Sequence, residues 1–181
     1  MFVCVTQTAS VTIMATGRIE LGPTGINVAA NVKRLREAQG LSLRALSLRL
    51  KGTDRELSAD ALNKIENGAN PDAKHIRRVD ADDLTALAVV LGVSPSALML
   101  PLDDSPGGVA LVTGVGEVPA DRAWDWVDGR RPLHLRADGE SEDWQDYFRL
   151  SRPTQRRRRE QLEHIRSVMK EIDDPGERDD G

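Results

Sequence analysis

A single cysteine, Cys4, stands in 181 residues, which leaves no internal disulfide and no cysteine-based metal cluster. Apolar runs of the roughly 20 residues needed to cross a bilayer are also missing. The first thirteen residues are mildly apolar but carry no positive charge, which a secretory leader needs. Met14 opens an ordinary polar segment and is a candidate start. His75, His134 and His164 are scattered without ligand spacing. No HExxH, GxSxG or P-loop pattern occurs. A self-cleaving Ser-Lys dyad lacks its lysine, because after Lys74 only Lys170 remains, in a charged segment without strands around it. The expectation is a cytoplasmic protein that is not an enzyme and uses no metal or cofactor.

What is present is charge, and it is segregated. The net charge of −4 hides a basic segment, residues 28–78, with eleven Lys/Arg against six Asp/Glu. Residues 79–150 hold five against fourteen, and the two ends balance. A basic segment followed by an acidic one fits a nucleic-acid contact confined to one part of the chain. The hydrophobic fraction of 39% and the length allow one domain plus a smaller second unit.

Residues 1–26 read as a polar arm ending in the breaker run Gly22-Pro23-Thr24-Gly25. Val28, Val32 and Leu35 then mark a first helix stopped by Gly40. Ser42 caps a second, striped by Leu43, Leu46 and Leu50. After Lys51–Glu56 breaks that pattern, Ser58 caps a short third helix with Leu62 and Ile65 on its apolar side. Gly68 is expected in the left-handed C′ position that ends it. Residues 69–78 form a basic loop. Asp80 caps a fourth helix, with Asp83 expected to reach back to the cap. Ser94-Pro95 opens a fifth helix ending near Leu100.

Residues 58–68 spell Ser-Ala-Asp-Ala-Leu-Asn-Lys-Ile-Glu-Asn-Gly, preceded by Leu-Ser-Leu-Arg-Ala-Leu at 41–46 and followed by Leu-Gly-Val-Ser-Pro at 91–95. Over residues 27–100 this resembles the Xre and lambda-repressor/Cro family of helix-turn-helix transcriptional regulators, of actinobacterial or phage type. The resemblance implies an all-α, five-helix DNA-binding domain at 27–100. After it, a linker at 101–118 and a smaller, mostly helical region at 119–181 are expected. It implies that the third helix enters the major groove. Matching the family places Ala59, Asp60 and Lys64 at base-reading positions, with Asn63 on the same face. Lys64 can donate to guanine, Asp60 accept from cytosine N4, and Ala59 touch a thymine methyl. Ser58, Asn67 and Arg44 are expected on phosphates, as are Lys74, Arg77 and Arg78 of the basic loop. Two features depart from the family: Leu43 stands where glutamine is usual, and the turn before Ser58 is about five residues longer than the family's short turn.

Beyond residue 100 the signals thin. Val109–Val112 reads as a short strand. Pro119 and Gly129 bracket a helix carrying Trp124 and Val127, and Ser141 caps another with Trp144, Tyr147 and Phe148. The tryptophans fit a small local core better than a ligand cage. A last, charged helix runs from Pro153 to about Ile172. On it Leu162, Ile165, Met169 and Ile172 are spaced 3, 4, 3, an a/d seam suited to a homodimer. The plain alternative is that this stripe packs on the protein's own Trp-containing region. A dimeric regulator on a near-palindromic operator is the expected whole. Its rival is an antitoxin-like protein whose C-terminal region binds a protein partner while the head autoregulates.

Overall fold

Three serines start three helices. Ser42, Ser58 and Ser94 hold extended backbone, and each hydroxyl accepts the backbone N–H three residues on: Ala45 at 3.1 Å, Ala61 at 3.1 Å and Ala97 at 3.3 Å. Each cap satisfies one of the amide donors that a helix start leaves open. In the computed structural model, residues 20–103, 105, 107–133 and 141–173 are described. They are mostly helical, with eight α-helices and one two-stranded hairpin among them. No helix among the described residues is long and apolar enough to cross a membrane. The chain divides into two compact units between Leu91 and Gly92.

The first unit holds α1 (Pro23–Ala38), α2 (Leu43–Leu50), α3 (Ala59–Glu66) and α4 (Ala81–Leu91). The run expected to break the chain instead opens α1. Gly22 is the N-cap and its carbonyl accepts from Ile26 at 3.1 Å, while Pro23 sits in the first turn, where its fixed φ suits a helix and its missing N–H costs nothing. Val28, Ala29 and Val32 of α1, Leu46 and Leu50 of α2, Leu62 and Ile65 of α3, and Leu87, Ala88 and Leu91 of α4 are buried. Gly40 and Gly92 end α1 and α4 at φ 64° and 70°.

Gly68 does not take the left-handed conformation expected of it; it lies in a single 3-10 turn, Asn67–Ala69, after α3. Its lack of a side chain serves packing instead. A Cβ there would stand 3.2 Å from Ala29 Cβ of α1 and 2.5 Å from Leu21 Cδ1. The glycine lets this turn close against α1.

The second unit contains α5 (Pro95–Met99), β1 (Val109–Val112), β2 (Gly116–Pro119), α6 (Ala120–Val127), α7 (Ser141–Ser151) and α8 (Thr154–Asp173). β1 and β2 pair antiparallel, Ala110 opposite Val118 and Val112 opposite Gly116. Period-two alternation turns Ala110 and Val112 inward. With Val118, Ala120, Ala123, Leu100 and Leu133 they form a small core, against which Trp124, Trp126 and Val127 pack. Trp124 Nε1 donates to the Pro101 carbonyl at 2.8 Å, and the Tyr147 hydroxyl to the Trp126 carbonyl at 2.8 Å. The hairpin thus falls in residues read from the sequence as a linker. Its strands are too short, four residues each, for alternation to stand out along the chain.

Candidate nucleic-acid interface

α3 carries two unlike faces. Leu62 and Ile65 are fully buried, and α2 and α3 pack against each other. Opposite them Asn63 is exposed, the Asp60 side chain is 71% exposed and that of Lys64 42%. Ala59 is half-buried at the start of the helix. Lys64 Nζ lies 2.7 Å from Asp60 Oδ2, so two of the residues expected to meet bases hold each other one turn apart. Exposed i,i+4 pairs contribute about 0.3–0.5 kcal/mol, an amount any better partner can overcome.

Ser58 is present at the face, but its hydroxyl is engaged as the cap of α3. Arg44 is exposed in the first turn of α2. Asn67, half-buried at the far end of α3, holds the His75 carbonyl only loosely at 3.5 Å. Lys74 is exposed. Arg78 Nη2 donates to the Glu20 carbonyl at 3.0 Å, leaving the rest of an exposed guanidinium free for solvent.

Arg77 has a different job. Its Nη2 donates to Asp83 Oδ2 at 2.8 Å, and its backbone N–H donates to the Lys64 carbonyl at 3.0 Å. Asp83, fully buried on α4, accepts a second arginine, Arg55 Nε, at 2.8 Å. The sequence reading had Asp83 reach back to the cap. Asp80 does cap α4, its Oδ1 accepting the Asp83 N–H at 2.8 Å, but the Asp83 carboxylate turns inward to the two arginines. That hydrogen bond from the Asp83 N–H, with Arg55 nearby, holds the Asp80 carboxyl below the usual carboxylate range. The contacts to Asp83 and Asp80 in turn raise the Arg55 guanidinium further above its ordinary value.

The long turn before Ser58 and the basic loop after α3 are therefore both tied down. In the connection from α2 to α3, Leu57 is buried, and the Ser47 hydroxyl donates to its carbonyl at 2.8 Å. Thr53 Oγ1 donates to the Leu50 carbonyl and accepts the Arg55 N–H, and Arg55 reaches Asp83. In the loop after α3, Asn70 Oδ1 accepts the Asp72 N–H at 3.0 Å, and Arg77 reaches the same carboxylate. One buried acid anchors both connections that flank α3. A bidentate bridge fixes the helix from another side: Arg36 of α1 donates from Nε and Nη2 to buried Glu66 at 2.6 and 2.8 Å. Burial and the two hydrogen bonds are mutual, and the bond to Glu66 raises the Arg36 guanidinium.

Arg55 and Arg36 were not singled out from the sequence, and Asp83 was read there only as a capping residue. Asp83 left a trace there: it lies one turn before Leu87 and two before Leu91, on the stripe that periodicity assigns to the core. A buried acid requires a cation partner, and both connectors beside α3 contain arginine.

On α8, Leu162 is 54% exposed, Ile165 46% and Met169 59%; the Ile172 side chain lies outside the described ones. The expected alternative, a stripe packed on the Trp-containing region, is not what the described residues do. Arg157 and Glu160, on another side of the helix, are the ones partly covered. Glu160 pairs with Arg152, which also lies over the Phe148 ring at 5.4 Å, and Trp144 meets Phe148 in a tilted ring contact, centroids 5.9 Å apart.

No family model, curated protein or solved structure matches this chain.

Proposed function

We propose that this chain is a sequence-specific double-stranded DNA-binding regulator of the lambda-repressor/Cro helix-turn-helix kind, acting as a repressor. The observation that carries the reading is α3 itself. It is a short helix with its apolar side sunk against α2, its polar side bare, and both flanking connections clamped by Asp83. Such a helix is presented rigidly, as groove reading requires. It lies within residues 28–78, which carry eleven Lys/Arg against six Asp/Glu in a chain of net charge −4. Lys64, Asn63, Asp60 and Ala59 read base edges; Arg44, Lys74 and Arg78 meet phosphates, and Ser58 and Asn67 support the two ends. α8 joins two copies, so that two such helices reach successive major grooves about 34 Å apart.

Selection of bound duplexes from a random pool by the purified full-length chain tests this. The expected result is a near-palindromic consensus. Recovery of unenriched sequence at moderate salt would sink the reading. A second reading, a C-terminal region that captures another protein, is favoured by the bare apolar stripe of α8; co-purification of a stoichiometric partner from the native cell would support it.

A further inference from the structure

We infer that two copies of this chain pair through α8 in antiparallel orientation, with the arginine end of each helix beside the acidic end of the other. The inference rests on the reading of α8 as a homodimer seam and not on what the first unit binds.

The apolar part of the seam is short. Leu162 to Ile172 covers about 15 Å of a helix roughly 30 Å long at 1.5 Å per residue. Leu162, Ile165 and Met169 are bare, as is Val168 beside them, 40% exposed. In an antiparallel pair a positions face d positions. The 3, 4, 3 spacing then sets Leu162 against Ile172 of the other copy, and Ile165 against Met169. This register is fixed by the apolar residues alone.

Charge decides the direction. N-terminal to the stripe stand Arg156, Arg157, Arg158 and Arg159; from Glu171 onward the sequence holds Glu171, Asp173, Asp174, Glu177, Asp179 and Asp180 against one basic residue, Arg178. Arg156 is occupied by Glu160, but Arg158 and Arg159 are exposed and have no ion pair among the described residues. A parallel pair sets the four arginines beside the same four, and acids beside acids, which like-charge repulsion opposes. The antiparallel register brings Arg158 and Arg159 within one turn of Asp173 of the other copy, the last residue of α8. The same helix is thus self-complementary in one direction only, as a two-fold interface requires.

Disulfide trapping in the full-length chain tests the direction. In a Cys4→Ser background, Leu162→Cys and Ile172→Cys chains are oxidised separately and as a mixture. A covalent dimer is expected in the mixture and not in either variant alone. Self-cross-linking of one variant would show a parallel pair and overturn the inference. Because each cysteine also trims the seam, charge reversal supplies a second arm read by light scattering. Arg158→Glu/Arg159→Glu should lose the wild-type dimer, and adding Asp173→Lys/Asp174→Lys to that same chain should restore it. A dimer indifferent to both changes, or a wild-type chain that stays monomeric or assembles only with another protein, overturns the inference. Neither arm uses DNA, so failure here is separate from failure of the DNA-binding reading.

Discussion

At the residue scale the charged groups around α3 divide by whether they are bare or committed. Lys64 and Asp60 hold each other on an exposed surface. Lys64→Ala should therefore leave the melting temperature nearly unchanged and cost about 1–3 kcal/mol of specific binding, with relaxed preference at one base pair. Asp60→Asn should act in the opposite sense on non-specific duplex, tightening it by removing an acid that faces phosphates, while discrimination at its own base falls. Titrating both variants against operator and scrambled DNA checks this; equal losses on the two duplexes for Lys64→Ala would take it off the reading face. Arg77 and Arg78 are neighbours with opposite expectations. Arg77 is bound to buried Asp83, and Arg77→Ala should destabilise the protein by about 1.5–3 kcal/mol, the worth of a hydrogen bond to a charged group. Arg78→Ala should leave the denaturation midpoint within about 0.5 kcal/mol, as for most surface changes. Urea unfolding of the two variants separates them, and equal midpoints would show that the Asp83 clamp contributes nothing.

Elements were legible in the sequence where caps and apolar spacing agreed. Ser42, Ser58 and Ser94 each start a helix at the expected position; Leu62 and Ile65 of α3 and Leu46 and Leu50 of α2 are buried as expected, while Leu43 is half-buried. What escaped was long-range. The inward turn of Asp83 depends on arginines 28 residues before it and six before it, and periodicity carries no information about partners. Gly68 followed the same rule: a glycine after a helix suggests a left-handed cap, but the neighbour that demands it, Ala29, is on another element. The hairpin was half seen, since β1 is apolar whereas β2 reads Gly-Glu-Val-Pro. α4 has a titrating cap. The Asp80 carboxyl is lowered in the folded protein by the Asp83 N–H, so its contribution is fully present above the unfolded value of about 3.9. It is lost as pH falls through the lower folded value. Asp80→Asn keeps a cap of equal quality and removes that titration. Thermal melts from about pH 6 to pH 2 should show a shallower acid decline in Asp80→Asn than in the wild type; parallel declines would mean that the cap charge does not stabilise α4.

The whole molecule sets a basic stretch of +5 within a chain of net −4, and this has a consequence for how binding responds to salt. Each phosphate neutralised releases condensed counterions, so log K falls with log salt by about 0.9 per contact on duplex DNA. The acidic residues 79–150 add repulsion that salt screens, but counterion release at the contacted phosphates is the steeper dependence. A repressor gripping phosphates through Arg44, Lys74 and Arg78 should therefore lose affinity steeply between about 50 and 200 mM salt. The slope also counts copies. Arg78→Ala in a protein bound as one copy removes one contact and should flatten the slope by about 0.9; in a protein bound as a symmetric pair it removes two and should flatten it by about 1.8. Fluorescence anisotropy on a full operator and on a half-site, across that salt range, measures both values. A change near 1.8 on the full operator and near 0.9 on the half-site is the expected result. An unchanged slope on both would remove Arg78 from the phosphate contacts. A change near 0.9 on both would mean that one copy at a time occupies the site, leaving the α8 seam no part in operator binding.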